Sequence, residues 1–269
     1  MTISIIIPLY YGEKYLKNLI QMLEKNELNL PIGYRLQIVF VKDSDEELNI
    51  NNYMKGKKNI IFIQNEKNMG IHYSRVKGIS VSSGEYIHML DQDDEISDDF
   101  YLNCINKIKN ADVVVCNGME QRNEYSKVLY KYYIMQYTVK FSFFYTKFSC
   151  RIISPGQCMI RKSSIPKEWM GNIIRENGAD DAMLWLMMLH NKKKFAINRK
   201  IEYIHVNTGC NTSLNIDKMN SSVIEVRDVL KRLNMISDGD LKRLDKQINN
   251  SVKSKLVMLV EKINKYKEK

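Results

Sequence analysis

Residues Gly84 to Ile96 read GEYIHMLDQDDEI, an apolar run that closes in four carboxylates within five positions, Asp91, Asp93, Asp94 and Glu95. Like charges held this close on one turn repel, so the cluster costs stability unless a cation or a set of hydrogen-bond donors offsets it. The run itself, Tyr86 to Leu90, has the length and texture of a buried strand, and four more runs of the same kind occur: Ile3 to Pro8, Leu36 to Val41, Ile60 to Ile63 and Ala111 to Cys116. Between them Glu13 to Lys25, Gly70 to Ser82 and Asp99 to Lys109 are long enough to cross back over a sheet as helices. This alternation predicts an α/β fold, a mostly parallel central sheet flanked by helices. In such sheets the ligand crevice lies beyond the carboxyl ends of the strands. Pro8 and Tyr10, Asp43 to Asp45 and Asp91 to Asp94 would therefore gather at one mouth.

The 269 residues suffice for one large α/β domain with an appendage, and 44% hydrophobic against 27% charged residues is globular composition. No fixed-period repeat appears. Five cysteines without paired spacing fit neither a zinc site nor a disulfide framework, which points to a reducing cytoplasm. The first residues lack the pattern of a signal peptide, and no apolar run reaches the length that spans a bilayer. A net charge of +10 calls for an anionic partner, and Lys218 to Lys269 carries thirteen Lys/Arg against seven Asp/Glu, a net of +6. The basic partner surface is therefore expected at the C-terminus.

After Cys116 the texture changes. Tyr125 to Phe148 holds ten aromatic residues of the chain's 26, which suits either an inserted subdomain or a surface facing an acceptor or a membrane. Ala182 to Leu189 (AMLWLMML) is apolar all round and lacks β-branching, so it predicts a buried helix opened by Asp180 and Asp181. Met219 to Leu233 and Leu241 to Ile263 show helical spacing on either side of Ser237 to Asp240 (SDGD). That pair can pack on the domain, lie on an anionic membrane or pair with a second subunit as a homodimer. The organisation expected is residues 1–212 as the main domain, divided into 1–116 and 117–212, with 213–269 as a C-terminal amphipathic helical extension.

Hard carboxylate oxygens such as those of Asp91 and Asp93 suit Mg²⁺ or Mn²⁺, ions commonly held by one or two carboxylates plus the phosphates of a bound substrate. The alternative is a solvated acidic turn starting the next helix, capped by Ser97 or Asp98. Four stretches taken in order resemble the family 2 glycosyltransferases: SIIIPLYYGEKYL (Ser4 to Leu16), IVFVKDSDEE (Ile38 to Glu47), NMGIHYSRVKGI (Asn68 to Ile79) and GEYIHMLDQDDEI. The resemblance covers roughly the first hundred residues. It implies the GT-A fold, a Rossmann-like nucleotide-diphospho-sugar transferase architecture, and inverting transfer from a nucleotide-sugar donor, with UDP as the expected nucleotide, to a glycan or lipid-linked glycan acceptor.

Carried onto this sequence, the resemblance implies that Pro8 and Tyr10 line the nucleobase pocket, that Asp43 accepts a hydrogen bond from the base and that Arg75 sits near the diphosphate. Asp93 is implied as the metal ligand, with Asp91 toward the ribose and metal, Gln92 also on the donor side and Asp94 supporting. Where the family often has two adjacent aspartates, this chain has Lys42-Asp43-Ser44-Asp45. Asp180-Asp181, following Gly156 to Ser164 (GQCMIRKSS), resembles the family's acidic pair, which makes Asp181 the expected base with Asp180 or Glu176 assisting; alternatively the two aspartates only cap the helix. His205 is a candidate third metal ligand, with Asn207 and Ser213 in the same late loop, whereas His72, His88 and His190 are assigned structural roles. Cell-surface polysaccharide assembly at the inner face of the plasma membrane is the setting implied. No glycine-rich phosphate loop follows the first strand, no G-x-G-x-x-G follows any strand, and no nucleic-acid recognition motif accompanies the basic tail. A catalytically inactive scaffold that binds nucleotide sugar or glycan is the non-enzyme alternative.

Overall fold

The computed structural model describes residues 1–48, 53, 56–122, 125–208 and 215–250. Among these, nine strands form one sheet in the order β3-β2-β1-β4-β8-β6-β9-β5, with β7 paired to β6. The expected strands are present as β1 (Thr2–Leu9), β2 (Arg35–Lys42), β3 (Ile60–Gln64), β4 (Tyr86–Met89) and β6 (Val113–Arg122). The sequence did not announce β5 (Glu95–Ile96), β7 (Tyr125–Val128), β8 (Cys158–Arg161) or β9 (Phe195–Val206). Parallel pairing links β1 with β2 and β4, β2 with β3, and β6 with β9, while β8 runs antiparallel between β4 and β6. The carboxyl ends of β1, β2, β4, β6 and β9 therefore point the same way. The boundary expected after Cys116 falls inside β6, which continues to Arg122, so β6 ties the two halves together through the sheet.

Both faces of the sheet are covered, which is why its strands read as continuous apolar runs. Ile3, Ile5 and Ile7 of β1 point to a layer made by α1 (Glu13–Leu28) and α3 (Phe100–Ile108). Ile6, Val39, Val41, Ile87 and Met89 point to the opposite layer. There they meet α2 (Ile71–Val81), α7 (Asp180–His190) and α8 (Ile216–Arg232). On α1 the buried Leu16, Leu19, Ile20 and Leu23 recur at the spacing of one helix face. Close approach of α2 to β1 needs Gly78, because a Cβ there would lie 2.4 Å from Ile6 Cγ2.

Three short helices, α4 (Tyr133–Tyr137), α5 (Ser142–Lys147) and α6 (Lys167–Gly171), lie in the connections between β7 and α7. The apolar run opened by Asp180 is the buried helix expected, α7, with Met183 to Met188 all buried. Asn215 caps α8 by accepting from Lys218 N. After a turn, residues 238–250 are again helical, with Ser237 accepting from Asp240 N at the start. This last helix packs on the domain: Asp240 accepts from Ser142 Oγ and Thr146 Oγ1, and Leu244 is buried. Val252 to Ile263 of the expected second helix, Cys210 and Ser213 lie outside the described residues.

Candidate active site

The acidic turn follows β4, and each of its carboxylates has a different environment. Asp91 takes Arg75 Nη2 on one oxygen at 2.6 Å and Ser154 Oγ on the other at 3.1 Å. Gln92 grips the turn after β1, accepting from Tyr10 N at 2.9 Å and donating to Tyr10 O at 3.0 Å. Asp94 is buried; Tyr203 OH donates to its Oδ2, while Oδ1 accepts from Val206 N at 3.1 Å and lies 3.0 Å from His205 Nδ1. Burial raises the Asp94 pKa; burial alone would lower that of His205, but the hydrogen bond and charge of Asp94 outweigh it and raise it. Asp93 has no ion-pair partner among the described residues. Burial, and then the charges of Asp94 and Asp91, push its carboxyl up to about 6.

Arg75 projects from α2 into the middle of the site. Its Nη1 meets Asp180 Oδ2 at 2.7 Å and its Nη2 meets Asp91, so one buried guanidinium joins the acidic turn to the start of α7. Burial opposes its charge, but Asp180 and then Asp91 more than compensate, and its pKa is raised. The resemblance implies Arg75 beside the diphosphate; the structure gives its two terminal nitrogens carboxylate partners of the protein's own.

Asp181 follows Asp180 at the first turn of α7. Its Oδ1 accepts from Ala182 N at 2.7 Å, and its Oδ2 lies 3.9 Å from Cys150 Sγ. Burial, together with the adjacent Asp180, raises its carboxyl to about 7 against the pull of Arg75. A carboxylate poised near neutrality suits a general base. Glu176, the other expected assistant, is exposed, and its backbone is held by Glu225 and Ser222 of α8.

On the nucleobase side Pro8 lies opposite Val41, one residue before the end of β1, and Tyr10 and Tyr11 stand about half exposed with their rings edge-on at 4.8 Å. Asp43 is buried, and its carboxylate accepts from Asn65 Nδ2, Met69 N and Gly70 N at 2.7–2.8 Å. It therefore anchors the turn that starts α2, a different set of partners from the base contact implied for it. Asp45, two residues on, is the exposed carboxylate and accepts from Tyr11 OH at 2.6 Å, which lowers its pKa. Beside it opens a cleft of about 460 Å³ lined by Lys42, Asp45, Glu46, Leu48, Phe62 and Gln64.

Of the histidines assigned structural roles, His88 and His72 are buried and His190 is not. His88 sits buried between Tyr101 OH and Gly156 O, and burial lowers its pKa to about 4. His72 accepts from Ile174 N and packs on Trp169, and His190 is exposed at the end of α7. Sequence reasoning missed Tyr203, Ser154 and Asn177, the last of which accepts from Ile71 N at the start of α2. Tyr203 had a signal: it stands two residues before His205, hence on the same face of a strand.

The donor set can be tested against a divalent ion. Among the described residues no three His, Cys, Asp or Glu side chains converge in an arrangement that could hold a metal. Asp91 already carries a protein donor on each oxygen, which leaves it poorly placed as a ligand, and the Nδ1 of His205 belongs to Asp94. Asp93 fits: a hard carboxylate, raised in pKa by its neighbours and lacking a cation, suits an ion that takes its remaining ligands from phosphate and water.

The sequence matches the family described as Glycosyl transferase family 2 over residues 4–169. It is 33% identical over 93 residues to the uncharacterized glycosyltransferase MJ1057 of Methanocaldococcus jannaschii, covering 34% of this chain and 32% of that protein. It is 30% identical over 107 residues to the minor teichoic acid biosynthesis protein GgaB of Bacillus subtilis, covering 38% of this chain and 11% of GgaB. The chain thus spans about a third or less of these relatives. Among solved structures, S. aureus TarS 1–349 in complex with UDP-GlcNAc superposes with TM-score 0.64 at 17% identity, over 86% of this chain and 66% of that 1–349 chain. Mannosyltransferase PcManGT from Pyrobaculum calidifontis, in complex with GDP-Man and Mn²⁺, gives TM-score 0.62 at 11% identity, over 86% and 64%. At these identities the likeness establishes the fold, and it is the GT-A architecture. With the family's match running from the first strand to Trp169, across more than half of the residues, the chain belongs to glycosyl transferase family 2.

Proposed function

We propose that the chain is a metal-dependent inverting glycosyltransferase that moves a sugar from a nucleoside-diphosphate donor, of the UDP class, onto a hydroxyl of a glycan or lipid-linked glycan during cell-surface polysaccharide assembly. The observation that carries this reading is the Arg75 bridge, which brings the acidic turn and the Asp180-Asp181 pair to one mouth of the sheet. Nucleotide sugars in the TarS and PcManGT complexes support the donor class, and the teichoic acid role in the name of GgaB supports the setting.

In this reading Asp181 takes the proton of the acceptor hydroxyl as its oxygen attacks the anomeric carbon; the bond to the diphosphate breaks on the opposite side, which inverts the centre. Asp180, held by Arg75, keeps its neighbour at the right place and raises its proton affinity. Asp93 would hold Mn²⁺ or Mg²⁺, with His205 close enough for its charge to act on that carboxylate, and the ion would supply Lewis-acid stabilisation of the departing diphosphate. Tyr203, Val206 and His205 fix Asp94 and so keep the turn rigid, while Asp45, which takes the Tyr11 hydroxyl, lines the cleft offered to the base.

The test is release of UDP from UDP-sugars with Mn²⁺ or Mg²⁺, followed in the parent, Asp93→Ala and Asp181→Asn. Metal-dependent release that Asp93→Ala abolishes is expected; donor binding without turnover in the parent under any metal and acceptor would instead favour a scaffold.

A further inference from the structure

The segment 125–148 contains ten aromatic residues, four lysines (Lys127, Lys131, Lys140 and Lys147) and no aspartate or glutamate. Two of its rings enter the core, Tyr130 and Tyr145, each with its hydroxyl donating to a backbone carbonyl. Other rings stay outside, Tyr132 at 58% exposed, Tyr133 at 56%, Phe141 at 45% and Phe148 at 54%, with Ile134 beside them at 67%. The rings form one contiguous strip, Tyr133 to Tyr137 to Phe141 to Phe144 to Phe148, with centroids 5.6–6.3 Å apart. Cations are interleaved with it. Lys140 lies 4.8 Å from the Tyr137 ring, Lys147 lies 5.2 Å from Phe143, and Arg243 of the last helix lies 5.0 Å from Phe143. Among the described residues, Asp240 reaches this region, and it is buried and taken up by Ser142, Thr146 and Arg243.

An exposed apolar strip of this extent marks an interaction site. Rings whose edges are wet, alternating with lysines, form the composition of a protein that lies in the headgroup layer of a bilayer. Single-stranded nucleic acid also favours aromatic and basic residues, but it stacks on open ring faces. Here several faces are covered by the protein's own cations. Among the described residues no helix is long and apolar enough to cross a membrane, so contact would be peripheral.

We propose that the surface from Tyr132 to Phe148 docks the protein on an anionic lipid bilayer, with the rings in the headgroup layer and Lys131, Lys140, Lys147 and Arg243 drawing on the lipid charge. Two residues beyond Phe148, Cys150 lies 3.9 Å from Asp181, and Ser154 holds Asp91. Docking there would bring the expected base close to the bilayer, where a lipid-linked acceptor is met; that last step rests on the proposed function, while the docking itself does not.

Flotation of the full chain with phosphatidylcholine vesicles, with and without phosphatidylglycerol, tests it. The parent should float only with the anionic vesicles. The triple variant Tyr133→Ser, Phe141→Ser, Phe148→Ser should lose flotation, and each Lys→Glu change should weaken partitioning by about fivefold or more. Because the triple variant could be misfolded, Tyr133→Trp supplies an independent readout, a blue shift of indole emission on anionic vesicles. A parent that does not float, a folded triple variant that floats like the parent, or emission from Tyr133→Trp that ignores the vesicles overturns the proposal. UDP release in solution should survive the triple substitution, whereas its absence in the parent would sink the transferase reading and leave the docking result standing.

Discussion

The acidic turn after β4 and the acidic pair that opens α7 solve one problem in two ways. Each sets carboxylates side by side, and each hands one of them to Arg75: Asp91 in the turn, Asp180 in the helix. In each a neighbour is left over, with its proton affinity raised to about 6 for Asp93 and about 7 for Asp181. The two remainders differ in access. Asp93 lies on a half-exposed turn where a cation and phosphates can reach it, whereas Asp181 is almost wholly buried against Cys150 and its own helix. The same chemical group thus suits an ion in one place and a proton in the other.

The comparison breaks most sharply at Asp181. Asp181→Asn should cut transfer by about 10²–10⁴-fold, the usual contribution of a positioned base, while nucleotide binding measured by calorimetry stays at parental strength. Weakened nucleotide binding in that variant would remove Asp181 from the base role. Asp93→Ala should do the reverse, erasing the rise in melting temperature that UDP with Mn²⁺ gives the parent. A metal-dependent rise that persists in Asp93→Ala would place the ion elsewhere.

Removing the shared partner tests what links the two clusters. Asp180→Ala leaves Arg75 buried with one carboxylate fewer, and breaking a buried ion pair in this way costs about 3–5 kcal/mol, readable in urea melts. A cost below about 1 kcal/mol would mean that the bridge is not a structural link. Acidity sharpens the contrast without any substitution of the bridge. Turnover should climb as pH rises through about 7, because Asp181 must be deprotonated to accept a proton. Stability should move the other way. The folded state binds the Asp181 proton more tightly than an unfolded carboxyl of pKa about 3.9, so the group's contribution is complete below that value and is lost as pH rises toward about 7. Above pH 7 Asp181→Asn should therefore melt a few degrees higher than the parent, and a lower melting temperature would contradict the burial argument.

The smallest effect is expected at Tyr203→Phe. It removes one hydroxyl from Asp94 while Val206 and His205 remain, for a loss of about 1 kcal/mol in stability and a modest drop in turnover. An unchanged protein would show that Val206 N and the His205 ring suffice to hold the turn.

The strands of the first half were legible because both faces are buried, which writes an apolar run into β1, β2 and β4. β9 escaped notice because Asn198-Arg199-Lys200 interrupts it where the pairing with β6 shifts register, and β8 is only four residues long. The acidic groups were legible by type, since few structures other than sites gather carboxylates so densely. Their pairing was not: Arg75 and Asp180 lie 105 positions apart, and no local spacing encodes which carboxylate a buried guanidinium will choose. Asp43 shows the same limit. Its position beyond β2 was readable, but its three donors come from the turn before α2 and from Asn65.

Asn177 reaches from the loop before α7 to Ile71 N, and its carboxamide oxygen stands 2.8 Å from where a Cβ on Gly70 would be. With φ of +89° at Gly70 as well, neither position can drift alone. A larger residue at 70 would push the hook off its anchor, and a shorter one at 177 would leave the helix start uncapped. Homologues of this chain should therefore change the two together or keep both, and a directed-evolution library that randomises one should recover survivors with a compensating change at the other.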